Sequence, residues 1–202
     1  MTIYFSPFPG IESSKAKDPL TEFIMKDWKT ADGQLKDKVA MVDVLTGQSR
    51  TFRDYYNSTT SIAAYLQDLG ITPDSTIALF SQNHVDYVPI CLAAAICGAK
   101  LSPVNPLYKA QELYTVLNRS GSEMLIVHSA NMDVAMEAMK GTGIKHVITI
   151  PEEDGAPVPD GTISLSDLKD HSSPVVDTHP SVHGNTGNHP FLLPYSSVRF
   201  IY

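Results

Sequence analysis

The chain has 202 residues, of which 43% are hydrophobic and 18% are charged, a composition typical of a globular protein rather than a disordered one. Its 15 basic and 22 acidic residues give a formal net charge of -7, which argues against a broad surface for nucleic acid or for anionic membranes. The two cysteines, Cys91 and Cys97, match no redox or metal-binding spacing, so we interpret them as buried, inert thiols.

The first part of the sequence predicts an irregular lead-in over residues 1–18 and a helix that begins near Pro19. The predicted apolar face of this helix carries Leu20, Phe23, Ile24 and Trp28.

A hairpin is predicted next, with strands at residues 39–45 and 50–52, and a helix follows that ends at Gly70. Asp43 and Asp54 flank the hairpin. We interpret them as turn and helix-cap residues rather than as acid–base catalysts.

The middle of the chain alternates short apolar strands with helices. The predicted strands are residues 76–81, 100–105, 123–128 and 146–150, and the predicted helices are residues 83–97, 109–119 and 130–140. Asn83 is expected to cap the first of these helices, Gly98 to close it, and Pro89 to give it a kink or a late start. Continuous apolar strands separated by helices indicate an α/β fold with a largely parallel sheet and flanking helices.

The composition changes after Ile150. Residues 151–202 contain seven of the 14 prolines and 7 acidic residues against 2 basic ones. We therefore divide the chain into the lead-in at 1–18, an α/β subdomain at 19–150, a polar, proline-rich connector at 151–190, and a strand with a tail at 191–202. A short element is expected near residues 163–168 of the connector.

Several histidines are candidate ligands or catalytic groups. For His179, His183 and His189, a solvated loop is favoured over a metal site, because the segment is rich in Pro, Gly and Asn and offers no fixed ligand geometry. His84 follows one predicted strand and His128 ends another, at the sheet edge where open α/β sheets bind ligands, but a capping or surface role is favoured for both. The stretch at residues 184–187 lacks the flanking strand and helix of a phosphate cradle.

One stretch near the end carries a more specific signal. Residues 191–197 read Phe-Leu-Leu-Pro-Tyr-Ser-Ser, an apolar strand that ends in two hydroxyl groups. This resembles the start of the phosphate-binding loop of the adenylate-forming (AMP-binding) enzymes, the acyl-CoA synthetase and 4-coumarate–CoA ligase-like family. Other segments are similar to the N-terminal domain of that family in content and order: Thr51-Phe-Arg-Asp-Tyr55, Ser81-Gln-Asn83, Gly98-Ala99 and Asn105-Pro106. The resemblance covers about residues 20–197.

The resemblance implies a ligase that converts a small-molecule carboxylic acid and ATP into an acyl-AMP, and then into a CoA thioester. ATP, Mg²⁺ and CoA are the cofactors of the full-length family. Tyr195, Ser196 and Ser197 would be the cofactor-binding residues, with the two hydroxyls positioning the ATP phosphates. The resemblance assigns no catalytic residue and no metal ligand to this chain.

The last five residues depart from the family. Its loop continues into glycines and a lysine, whereas residues 198–202 read Val-Arg-Phe-Ile-Tyr. Bulky side chains prevent backbone amides from approaching phosphate oxygens. We therefore expect a truncated form that is not catalytically competent alone.

Two alternatives remain open. A truncated α/β domain could expose a sheet edge and act as a non-catalytic interaction module, or associate with itself. A flavodoxin-like binder would need glycines after the first central strand, where residues 81–83 have none. The sequence shows no signal-peptide pattern and no bilayer-length apolar run, so we expect a cytoplasmic, intracellular protein without a membrane span, although the resembled family also includes peroxisomal members.

Overall fold

The computed structural model describes residues 18–44, 46–169, 171, 177–179, 182 and 189–195, so most of the predicted lead-in lies outside it. In chain order the elements are α1 (Leu20–Met25), β1 (Val39–Val42), β2 (Ser49–Thr51), α2 (Phe52–Asp68), β3 (Thr76–Phe80), α3 (Tyr87–Ile96), β4 (Lys100–Val104), α4 (Ala110–Ser120), β5 (Met124–His128), α5 (Met132–Ala138), β6 (His146–Ile150), β7 (Ile163–Ser164) and α6 (Leu165–Lys169). Single 3₁₀ turns follow α1 and precede α5.

The centre of the fold is a five-stranded parallel sheet with the strand order β4-β3-β5-β6-β7. β3 pairs in parallel with β4 along one side and with β5 along the other. The chain thus crosses from β4 over β3 to reach β5, and the direction of winding reverses between β3 and β5. The predicted α/β fold with a largely parallel sheet is confirmed, and the short element expected in the connector is β7 with α6.

Both faces of the sheet are buried, because successive side chains of a strand point in opposite directions. On β3, Ile77 and Leu79 join a core that includes residues of α2, α3 and α6, whereas Ala78 and Phe80 join a second core with residues of α4 and α5. All four side chains are fully buried. Burying a large apolar side chain stabilises the fold by about 1.5–3 kcal/mol, which explains why four of the five residues of β3 are apolar.

The predicted hairpin is the antiparallel pair β1–β2, which forms a separate two-stranded sheet. Asp43 accepts a hydrogen bond from the backbone N–H of Thr46 at 3.0 Å, as expected for a turn residue. Thr51 and Asp54 form a reciprocal capping box at the start of α2, so the cap role of Asp54 is also confirmed.

The predicted apolar face of the first helix is wrong in part. Leu20 and Phe23 are exposed, whereas Thr21 and Trp28 are buried. The hydroxyl of Thr21 lies 2.8 Å from that of Thr178, and Trp28 packs against the rings of Phe52 and Tyr55 in a satellite core. These contacts, rather than an apolar stripe, fix the rotation of a helix of only six residues.

The third helix starts later than Asn83, so the prediction that Asn83 caps it is wrong. α3 begins at Tyr87, with Asp86 at the N-cap position and Pro89 in the first turn. A proline costs no intrahelical hydrogen bond only in the first turn of a helix, so α3 begins just before Pro89. Gly98 follows the helix with a positive φ of 71°, as expected for a closing glycine.

Among the described residues, no helix combines the length and apolar character that a bilayer crossing requires.

Candidate functional site

The carboxyl ends of β3 and β5 meet where the winding of the sheet reverses. In open α/β sheets this crevice is the usual place for ligands. His84 lies in the loop after β3, and His128 is the last residue of β5. Their ring centroids are 5.9 Å apart, so the structure brings together two residues that the sequence places at the same edge.

Each of these histidines has a local structural role, as the sequence analysis favoured. Nδ1 of His84 accepts the backbone N–H of Asp86 at 3.2 Å, and Nδ1 of His128 accepts that of Ala130 at 3.3 Å. Burial holds the pKa of His84 below its usual value, although the nearby carboxylate of Asp86 acts in the opposite direction. We therefore describe both histidines as turn-capping groups beside the crevice.

A buried ionic cluster, which the sequence analysis missed, lies beside these histidines. The side chain of Asp86 is 1% exposed, and Nζ of Lys169 lies 2.7 Å from its Oδ2 while Nε of Arg50 lies 3.7 Å from its Oδ1. Both cations also contact Asp154, at 3.0 Å from Arg50 and 2.7 Å from Lys169. The contacts of Asp86 are ionic rather than aligned hydrogen bonds.

This cluster joins three separate parts of the fold. Arg50 belongs to β2 of the hairpin, Asp86 to the start of α3, and Lys169 to the end of α6. Two carboxylates are matched by two cations, so the cluster is balanced in charge and suited to holding these elements together. The signal in the sequence was a lone acid in the apolar run Val85-Asp86-Tyr87-Val88, but its partners lie far away along the chain.

The described part of the segment that carries the family motif lies on the outer edge of the sheet. The backbone N–H of Leu101 in β4 donates to the carbonyl of Phe191 at 2.7 Å, and that of Leu193 donates to the carbonyl of Leu101 at 2.8 Å. Leu192 and Leu101 form a parallel bridge. Because the pairing is parallel, Tyr195 follows at the carboxyl edge of the sheet, where it is half-buried against the core beneath α4 and α5.

The remaining two residues of the predicted site, Ser196 and Ser197, lie outside the described residues, as do His183 and the stretch at 184–187. In the part of the chain that the structure describes, no three His, Cys, Asp or Glu side chains are grouped as metal ligands. His189, one of the three histidines weighed above as metal ligands, contacts the backbone: its Nε2 lies 2.6 Å from the carbonyl oxygen of Gly98.

The two cysteines are free thiols, with Cys97 fully buried and Cys91 half-buried. Burial raises the pKa of each thiol to about 12, so both are neutral near pH 7. This agrees with the interpretation of both thiols as inert, whereas the predicted full burial is confirmed for Cys97 and is wrong for Cys91.

Both the sequence and the fold are similar to those of known proteins. The AMP-binding enzyme family matches residues 28–197. Among curated relatives, 4-coumarate–CoA ligase 3 of Arabidopsis thaliana is 28% identical over 165 residues, which are 81% of this chain and 28% of that protein. An uncharacterized protein of Mycobacterium tuberculosis is 28% identical over 121 residues, which are 60% of this chain and 66% of that protein.

A solved structure, of a long-chain-fatty-acid-CoA ligase from Archaeoglobus fulgidus, superposes with a TM-score of 0.68 at 24% identity. The superposition covers 80% of this chain and 31% of that one, and it shows the shared fold. The chain therefore spans less than a third of the length of the ligases with which it is compared.

Proposed function

The chain belongs to the AMP-binding enzyme family, and from this premise we propose that it is the N-terminal segment of an acid–thiol ligase. Such a ligase would join a small-molecule carboxylic acid to ATP to form an acyl-AMP, and then pass the acyl group to CoA. Relatives named 4-coumarate–CoA ligase and long-chain-fatty-acid–CoA ligase support an aryl or fatty acid as the substrate. Because the chain belongs to this family, the alternative of an unrelated flavodoxin-like binder no longer applies.

The observation that carries this proposal is the position of residues 191–195. Their parallel pairing with β4 directs the chain toward the carboxyl edge of the sheet, where Tyr195 is half-buried against the core. The two hydroxyl residues follow in the sequence. We propose that Ser196 and Ser197 position ATP phosphates and that Tyr195 orients the segment that carries them.

The chemistry of the donor set does not fit a complete ATP–Mg²⁺ site. Two hydroxyl groups can contact phosphate oxygens, but Val198-Arg-Phe-Ile-Tyr202 supplies neither the glycines nor the lysine of a phosphate-binding loop. The described residues contain no cluster of metal-ligating side chains. We therefore propose that this chain is not catalytically competent alone.

An ATP–pyrophosphate exchange assay tests the lack of competence. We expect the purified chain to show only background exchange with a panel of aryl and fatty acids, measured beside the Arabidopsis 4-coumarate–CoA ligase 3 as a positive control. Acid-dependent exchange by the chain itself would contradict the proposal.

A chimera tests the site. Residues 28–197 would replace the matching segment of the same Arabidopsis ligase. We expect the chimera to retain exchange, and Ser197→Ala to lower its rate at least about tenfold, a loss of about 1.4 kcal/mol. Ser49→Ala, at an exposed serine of β2, is the matched control and should leave the rate unchanged. A folded chimera in which both variants behave alike would contradict the assignment of Ser197.

We further propose a reducing, cytoplasmic location and no nucleic-acid partner. Support comes from the two free thiols and from the net charge of -7. Fractionation of cells that express a tagged chain would test the location, and recovery in the secreted fraction would contradict it.

A further inference from the structure

The side chain of His189 binds the turn that follows α3. Its Nε2 lies 2.6 Å from the carbonyl oxygen of Gly98, and the side chain is half-buried. A carbonyl oxygen can only accept, so Nε2 of His189 carries the hydrogen and donates it. The chain meets the same end of α3 once more, where the carbonyl of Ile96 accepts the backbone N–H of His179 at 2.8 Å. We call residues 189–195, which begin at His189, the edge segment.

The edge segment pairs with β4 through a short ladder. Within the described residues, this ladder has two backbone hydrogen bonds, from Leu101 to Phe191 and from Leu193 to Leu101. Neither Pro190 nor Pro194 has a backbone N–H group, so neither can donate another. With so few ladder bonds, the register of the segment on β4 depends on contacts outside the ladder.

Packing alone does not fix the amino end of the edge segment. A cavity of about 100 Å³ lies beside the contact between His189 and Gly98, with Pro19, Ala99 and Phe191 among its lining residues. Phe191 is itself only half-buried against the core. The hydrogen bond from His189 is therefore the directional contact at this end.

We propose that His189 is a positioning residue, which sets the register of the edge segment on β4 by donating to Gly98 and thereby places Ser196 and Ser197. The inference rests on the proposed function, because it concerns the two hydroxyls assigned there to the ATP phosphates. His189 acts through the segment and not by contact with ATP.

The register matters because strand positions change in large steps. A slip of one residue moves a strand by about 3.3 Å along its partner and turns each side chain to the opposite face. A misplacement of about 1 Å is enough to slow an enzymatic step about 100-fold. A single bond that excludes such a slip would therefore have a large effect on the hydroxyls that follow.

Hydrogen exchange of the 202-residue chain measures the register directly, because the amides of Leu101 and Leu193 donate the two ladder bonds. We expect His189→Ala to speed the exchange of both amides about three- to tenfold. His189→Gln should restore slow exchange, since the side-chain amide of Gln can donate from a position close to that of Nε2.

His171→Ala is the matched control. Nε2 of His171 also has an acceptor, Oδ2 of Asp68 at 3.2 Å, but this contact joins it to α2 rather than to β4. The control should leave the amides of Leu101 and Leu193 unchanged. The amides of β5, in the middle of the sheet, report any loss of global stability and should keep their rates in every variant.

The chimera with the Arabidopsis ligase tests the link to ATP. In ATP–pyrophosphate exchange, we expect His189→Ala to lower kcat/KM for ATP about tenfold and to leave the KM for the acid unchanged. His189→Gln should restore the parent value, and His171→Ala should match the parent. A contact that only stabilises the fold would not act on ATP alone.

Three results would overturn the proposal: unchanged exchange of the Leu101 and Leu193 amides in His189→Ala, faster exchange that extends equally to β5, or an active chimera that does not respond to His189→Ala. A chimera that shows no pyrophosphate exchange would instead contradict the proposed function. Hydrogen exchange of the chain would then still decide whether His189 sets the register.

Discussion

Asp86→Asn tests the role of the buried ionic cluster, because it removes a charge and nearly preserves the shape of the side chain. Asp86 is 1% exposed and contacts two cations, which are themselves only 14% and 19% exposed. After the substitution, Lys169 and Arg50 would face a neutral amide in a site from which most water is excluded.

The magnitude follows from the partners that remain. Removing one member of a fully buried ion pair costs about 3–5 kcal/mol. Here both cations keep Asp154, at 3.0 and 2.7 Å, and both retain some contact with solvent. We therefore expect Asp86→Asn to lower the free energy of unfolding by about 2–3 kcal/mol.

Urea unfolding followed by circular dichroism measures this loss. The matched control is Asp154→Asn, which removes a carboxylate from the same cluster at a position that is 54% exposed, and should cost under about 1 kcal/mol. Combining Asp86→Asn with Lys169→Met should cost less than the sum of the two single changes. The reasoning is refuted if Asp86→Asn costs no more than Asp154→Asn.

Three further predictions concern a histidine, a glycine and the thiols. Burial lowers the pKa of His84, so on acidification His84 is protonated in the unfolded chain before it is protonated in the folded one. The free energy of unfolding should therefore fall as the pH drops below about 6.5, by at most ~1.4 kcal/mol per pH unit, and His84→Gln should flatten this dependence in urea unfolding measured at several pH values. Gly98→Ala should cost about 1–3 kcal/mol, because its Cβ would lie 2.9 Å from Val182, whereas Gly121→Ala, also at positive φ but in open space, should cost about 1 kcal/mol; equal losses in thermal unfolding would contradict the steric argument. The pKa of about 12 for Cys91 and Cys97 predicts slow labelling by a thiol reagent at pH 8 and rapid labelling of both in denaturant, and fast native labelling would show that the thiols are accessible.

The central sheet could be predicted from the sequence because burial on both faces leaves a local signature. β3 and β5 are almost continuous apolar runs, β4 and β6 are mainly apolar with one buried polar residue each, Ser102 and Thr149, and the predicted positions of all four agree with the structure to within one residue. The rotation of α1 could not be predicted in this way. It depends on the contact between Thr21 and Thr178, which are remote in sequence.

The candidate site was predictable only where one segment carries the signal. The motif at residues 191–197 is contiguous, so the family could be identified from it and from the order of the segments before it. The cluster around Asp86 has no such motif, because Arg50 and Lys169 reach it from the hairpin and from α6. Pairings of this kind arise from the topology of the sheet and not from any local pattern.

The edge position of residues 191–193 also affects how the chain is made. These residues cover the outer edge of β4, but the ribosome completes β4 almost 90 residues earlier. At about 5–20 residues per second, that edge waits about 5–20 s for its partner, far longer than a small sheet needs to form. The nascent protein therefore presents an unpaired parallel strand for a period set by translation, during which a chaperone or another nascent chain can reach it.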